Sequence, residues 1–156
     1  MEKEEAIWQL ALNYVAGVGN KLAKQLVTHC GSARAVFEHP KGKLLRINGI
    51  GEKTAESIVS KSTLKAAEEE VQKAEKLGVS ILPYVHPSYP ERLRQIVDAP
   101  QVLYFRGNTN LNARKVISIV GTRKATAYGR EMTEKVVGQL SAYQDLLIVS
   151  GLAYGI

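Results

Sequence analysis

Cysteine is nearly absent: the chain of 156 residues holds one, Cys30. A single thiol excludes a disulfide framework and a cysteine-rich zinc site. It reads as a small apolar filler beside Gly31. Long apolar runs are absent as well, and none approaches the ~18 residues of a membrane helix. The acidic start, MEKEEAIWQL, has no apolar stretch of the secretory kind. The simplest expectation is a cytoplasmic protein with no membrane partner. Neither GxGxxG nor GxxxxGK[ST] occurs, which argues against a dinucleotide cofactor or NTP hydrolysis. The histidines His29, His39 and His86 are scattered, and Asp98 and Asp145 stand alone. No catalytic residue, metal site or cofactor is expected.

What is present is enough apolar material for a core, 45% of residues, and a net charge of +6. Disorder is therefore excluded. The charge is uneven: residues 1–80 carry 12 Lys/Arg against 10 Asp/Glu, and residues 81–156 carry 9 against 5. The texture changes at the same place. Ala6, Ile7, Leu10, Ala11 and Tyr14 fall at helical spacing, as do Leu64, Ala67, Val71 and Ala74. Gly78 stops that second helix, and Glu68 to Glu70 form its solvated face. Trp8 and Phe37 read as core. Beyond residue 80 come β-type runs at 102–105, 116–120 and 146–149. Between the textures, Pro83, Pro87 and Pro90 predict an extended connector. The expected domains are 1–80 and 81–156. The fold class is α/β with an all-α N-terminal domain.

The helical half repeats itself. VAGVGNKLAKQL (15–26) and INGIGEKTAESI (47–58) align at an offset of 32 residues, matching Gly17 with Gly49, Gly19 with Gly51 and Lys21 with Lys53. This is a duplicated helix-hairpin-helix signature. Two glycines one residue apart permit a tight turn with positive φ. They also bare backbone N–H groups at the start of the next helix, where a phosphate fits. Gly17, Gly19, Lys21, Gly49, Gly51 and Lys53 are thus candidate contacts to a nucleic-acid backbone. The same turn serves equally to pack helices or dock a protein, and Glu52 disfavours a strong phosphate site beside the second hairpin.

VISIVGTRKATAYGREMTEKVVGQL (116–140) reads strand, loop, helix, and a second apolar strand follows, ending at Ser150-Gly151. This is a βαβ unit with parallel strands and a right-handed crossover. Ligands of such sheets bind beyond the carboxyl ends of the strands. Gly121, Thr122, Arg123, Lys124, Ser150 and Gly151 all fall there. Glycine admits a ligand to the backbone, the hydroxyls supply hydrogen bonds, and Arg123 offers a planar fork matched to phosphate. Tyr128 either stacks a base or packs against the strand, and packing is the expectation.

Three ordered stretches carry a family resemblance: Asp98-x-Pro100-x-x-Leu103-Tyr104 with Gly107, Val120-Gly-Thr-Arg123 with Tyr128-Gly129, and Ser150 to Ile156 (SGLAYGI). Together with Tyr89-Pro90, they make the chain similar to the DprA (Smf) family of bacterial DNA-processing proteins. The resemblance implies a SAM-like, (helix-hairpin-helix)2 domain followed by a partial Rossmann-like parallel sheet. It implies a single-stranded DNA binder, not an enzyme, that protects incoming DNA and helps load the RecA recombinase during natural transformation. It also implies self-association as a dimer. Arg123 would contribute to a basic DNA pocket, with Gly121 and Thr122 shaping the loop. The last motif stops one residue before the family's aspartate, so the sheet, the rest of the pocket and the dimer and recombinase contacts are expected downstream. An exposed apolar face, or one buried by self-association, is expected here. Two alternatives stand beside this reading. One is a Rossmann-like enzyme processing nucleoside monophosphates, although its Pro-Gly-Gly-x-Gly-Thr segment does not occur in this chain. The other is a helix-hairpin-helix docking module.

Overall fold

The computed structural model describes residues 2–152. The chain divides into two compact units, Met1–Asn108 and Thr109–Ile156. In the first, six helices precede the first strand: α1 (Glu2–Asn13), α2 (Asn20–Cys30), α3 (Ala33–Glu38), α4 (Lys41–Leu44), α5 (Glu52–Val59) and α6 (Leu64–Lys76). Their apolar stripes meet in one cluster that includes Leu10, Leu26, Val36, Leu44 and Ile58, all almost fully buried. Each such side chain contributes about 1.5–3 kcal/mol by leaving water. Phe37 is buried in it, and its ring centroid lies 5.5 Å from that of the half-buried Trp8.

The helix ends follow local chemistry. Gly31 takes φ +96° and returns its N–H to the Val27 carbonyl at 2.8 Å, closing α2. The Ser32 hydroxyl then accepts from Ala35 N–H at 3.0 Å and opens α3. At the end of α6, Gly78 N–H reaches the Glu75 carbonyl and Val79 N–H the Ala74 carbonyl. That pair of bonds is a Schellman motif, and Gly78 supplies the φ of +64° it needs.

The proline-rich segment is not an extended connector. It enters strand β1 (Ser80–Pro83), turns through the short helix α7 (Glu91–Arg94), and returns as β2 (Val102–Phe105). β1 and β2 pair antiparallel, from Ser80 opposite Phe105 to Pro83 opposite Val102. Both strands pack on α1, and β1 also packs on α6. Pro83 is tolerated because a two-stranded sheet has only edges, and it ends its strand. Between the strands Tyr89 is fully buried, and its hydroxyl donates to the Pro100 carbonyl at 2.8 Å. Arg94 lies over the rings of both Tyr84 and Tyr89.

The second unit is the expected βαβ unit. β3 (Lys115–Ile119) and β4 (Leu146–Ser150) are parallel, with Lys115 beside Leu146 and Ile119 beside Ser150. Between them runs α8 (Ala127–Leu140), opened by Thr126, whose hydroxyl accepts from Gly129 N–H at 3.1 Å. The sheet has two strands among the described residues, because β2 belongs to the first unit. The expected exposed apolar side chains are there: Ile117, Val120, Val149 and Leu152 all face solvent.

Candidate functional site

The two hairpins are built alike. Val18 N–H bonds to the Val15 carbonyl at 3.0 Å, and Ile50 N–H to the Ile47 carbonyl at 3.1 Å. Gly17 and Gly49 hold φ of +86° and +92°. The second glycine of each pair does not share that conformation. Gly19 and Gly51 are extended N-caps of α2 and α5, with φ of −85° and −97° and no side-chain cap. The turn therefore needs one left-handed glycine, and the other serves as a side-chain-free cap. Lys21 and Lys53 are exposed one residue inside each helix start.

Near the first cap, side chains of α2 are engaged by backbone carbonyls. Asn20 Nδ2 donates to the Asp98 carbonyl at 3.2 Å, and Lys24 Nζ donates to the carbonyls of Ile96 and Val97, each at 3.3 Å. Lys24 Nζ also stands 4.5 Å from the Tyr84 ring centroid. A depression of about 430 Å³ brings together Gly19, Lys21 and Gly49, with Asp98 on its rim. At the second hairpin Lys41 Nζ lies 2.6 Å from Glu56 and 3.1 Å from Glu52. Hydrogen bonds to Glu56 and then Glu52 raise the Lys41 pKa. Lys53 shares a shallow depression with these three side chains. Glu52 occupies the first turn of α5, where a carboxylate already complements the helix dipole.

In the second unit, Gly121, Thr122, Arg123 and Lys124 form the exposed loop after β3. Thr122 Oγ1 donates to the Lys124 carbonyl at 2.9 Å, so this hydroxyl shapes the loop. The pairing of Ile119 with Ser150 brings Gly121 and Gly151 to the same end of the sheet. Ser150 Oγ accepts from Leu152 N–H at 3.3 Å, and Leu152 takes φ +48°. A Cβ on Gly151 would meet nothing within 4 Å. At the opposite end of the strands Lys115 Nζ pairs with Asp145 at 2.8 Å. Among the described residues no ion pair engages Arg123, Lys124 or Arg130. Residues 153–156 of the SGLAYGI motif lie outside the described residues.

Two readings of side chains are corrected. Tyr128 does not pack against the strand: it is 71% exposed. The half-buried stripe of α8 runs through Gly129, Met132, Thr133, Val137 and Leu140. Tyr128 lies at its margin, about 40° from Met132 around the helix. The histidines are not all scattered: the rings of His29 and His39 lie 6.2 Å apart, edge to face. No group of three or more His, Cys, Asp or Glu among the described residues is placed to hold a metal ion. No described helix is long and apolar enough to cross a membrane.

The geometry defines a helix-hairpin-helix tandem joined in sequence to a Rossmann-like βαβ unit. Residues 10–77 match the SAM-like helix-hairpin-helix tandem family, and residues 80–156 match the family described as DNA recombination-mediator protein A. Over those C-terminal residues the chain is similar to the DprA family. It is 39% identical over 80 residues to the DNA processing protein DprA of Bacillus subtilis (strain 168), covering 51% of this chain and 27% of that protein. Over 68 residues it is 41% identical to the DprA of Streptococcus pneumoniae (strain ATCC BAA-255 / R6), covering 44% of this chain and 23% of that protein. The match thus spans about a quarter of the length of these relatives. A DNA ligase of Chlamydia felis (strain Fe/C-56) is 41% identical over 85 residues, which cover 54% of this chain and 12% of that protein.

Proposed function

We propose that this chain acts in DNA processing and recombination as a binder of single-stranded DNA, not as an enzyme. In this reading it shields incoming DNA, helps load the RecA recombinase during natural transformation, self-associates as the family does, and works in the cytoplasm. The observation that carries it is the cationic loop at the carboxyl end of β3. Arg123 and Lys124 stand there exposed, with no ion pair among the described residues, beside Gly121, Thr122, Ser150 and Gly151. Glycines at both strand ends leave the backbone open to a phosphate, and Arg123 supplies the fork that grips it.

The functional division near residue 80 belongs to the same reading. For the helical part, docking to a protein is favoured over phosphate contact through Gly17, Gly19, Lys21, Gly49, Gly51 and Lys53. Asp98 rims one hairpin, and the Lys41–Glu52–Glu56 cluster flanks the other.

The test is titration of labelled oligothymidylate at several salt concentrations. Binding weakens steeply with salt, each phosphate contact contributing a slope of about −0.7 on logarithmic axes. Arg123→Ala lowers affinity and makes that slope shallower by about one such contact. Binding insensitive to salt, or unaltered by Arg123→Ala, would refute the proposal.

A further inference from the structure

We infer that Tyr128 is a base-stacking platform, and that it makes the basic loop prefer an unpaired strand to a bare polyphosphate. The inference rests on the single-strand reading above and adds a partner for the nucleobase. Tyr128 sits in the first turn of α8, two residues after its cap Thr126, and exposes 71% of its surface. Burying a tyrosine ring is favourable, and this one stands exposed at the margin of the half-buried stripe of α8. The surroundings fix the chemistry of what covers it. Arg123 and Lys124 lie in the loop before α8 and Arg130 reaches back to the Ala125 carbonyl, while the first acidic residue after β3 is Glu131, three residues past Tyr128. An apolar peptide would leave those cations unmatched, and an acidic peptide would not need the ring. A single strand of nucleic acid meets both demands, with phosphates for the cations and a flat base for the phenol ring. In a duplex the bases are stacked on one another, so the ring selects a strand whose bases are free.

Three ligands of equal length separate the outcomes: oligothymidylate, the same deoxyribose-phosphate strand without bases, and a duplex. The wild-type chain binds oligothymidylate more tightly than the abasic strand or the duplex. Tyr128→Ala lowers affinity for oligothymidylate about five- to a hundredfold, leaves the abasic strand unchanged and leaves the salt slope unchanged. Tyr128→Trp retains binding, and its added indole is quenched by oligothymidylate but not by the abasic strand, with wild-type Trp8 as the control signal. Equal losses on the thymidylate and abasic strands, or no loss on either, would overturn the stacking role while the cationic loop stands. Failure of the wild-type chain to bind either strand removes the single-strand reading and this inference together. An unchanged melting temperature for Tyr128→Ala shows that the loss is not unfolding.

Discussion

Thr54 stands against Gly17, and Leu22 stands against Gly49. A Cβ on Gly17 would lie 3.2 Å from Thr54 Oγ1, and one on Gly49 would lie 3.4 Å from Leu22 Cδ1. Thr54 also donates its hydroxyl to the Ala16 carbonyl at 3.3 Å. Leu22 and Thr54 are equivalent in the 32-residue repeat. Each hairpin turn is therefore closed by the helix that follows the other turn, and the two halves are related by an approximate two-fold exchange.

That reciprocity separates the four turn glycines. Gly17→Ala and Gly49→Ala each force a side chain into a left-handed residue, costing about 1–2 kcal/mol before any crowding. Gly17 is the costlier, because its neighbour is closer and is held by a hydrogen bond. Gly19→Ser and Gly51→Ser place a capping hydroxyl at extended positions where no atom lies within 4 Å. They leave stability unchanged or raise it by a few tenths of a kcal/mol. Urea unfolding followed by circular dichroism gives the order.

Tyr89 carries the Tyr-Pro motif into the core. Tyr89→Phe keeps the ring but leaves the Pro100 carbonyl without this donor, costing about 1–2 kcal/mol. Tyr89→Ala removes the ring as well and costs about 3–5 kcal/mol, as large aromatic truncations do. Both values come from denaturant midpoints, and the ratio tells whether Tyr89 acts mainly by packing.

Lys24 ties α2 to the segment before β2 through two carbonyls and the Tyr84 ring. In Lys24→Met the amides of residues 95–99 exchange with solvent several-fold faster, while those of α5 and α6 keep their protection. Hydrogen exchange resolved by mass spectrometry reads both regions in one experiment.

The Lys115–Asp145 pair sets a pH dependence for the second unit. The hydrogen bond from Lys115 lowers the Asp145 pKa. A carboxylate so depressed contributes stability above its unfolded pKa and loses that contribution as pH falls through the folded value. In Lys115→Met the Asp145 carboxyl titrates higher, toward the ordinary aspartate range. Carbon-detected NMR titration of the carboxyl group follows the shift directly.

Much of this architecture was legible in the chain. The repeat of Gly17 and Gly49 fixed the hairpins because only glycine enters the left-handed turn without strain, and the run Val116 to Val120 marked a strand by composition. Other features were hidden for physical reasons. Nothing local tells which glycine of a Gly-x-Gly pair is left-handed, since φ at Gly19 is set by its role as a cap. Pro83 disguised β1, because a proline at the end of an edge strand loses no ladder bond. The exposure of Tyr128 is not legible in composition, which marks the residue as apolar. The cationic loop was visible as a motif, but the carbonyls that hold Asn20 and Lys24 near the first hairpin cap come from residues far away in sequence, Ile96 to Asp98.

The ion pair between Lys115 and Asp145 has one more consequence. It neutralises Lys115 at the amino end of the two strands, whereas Arg123 and Lys124, at the carboxyl end, have no ion pair among the described residues. In the proposed role, that asymmetry draws a polyanion toward the carboxyl end of the strands. Such steering raises encounter rates at low ionic strength and fades as salt shortens the reach of the field.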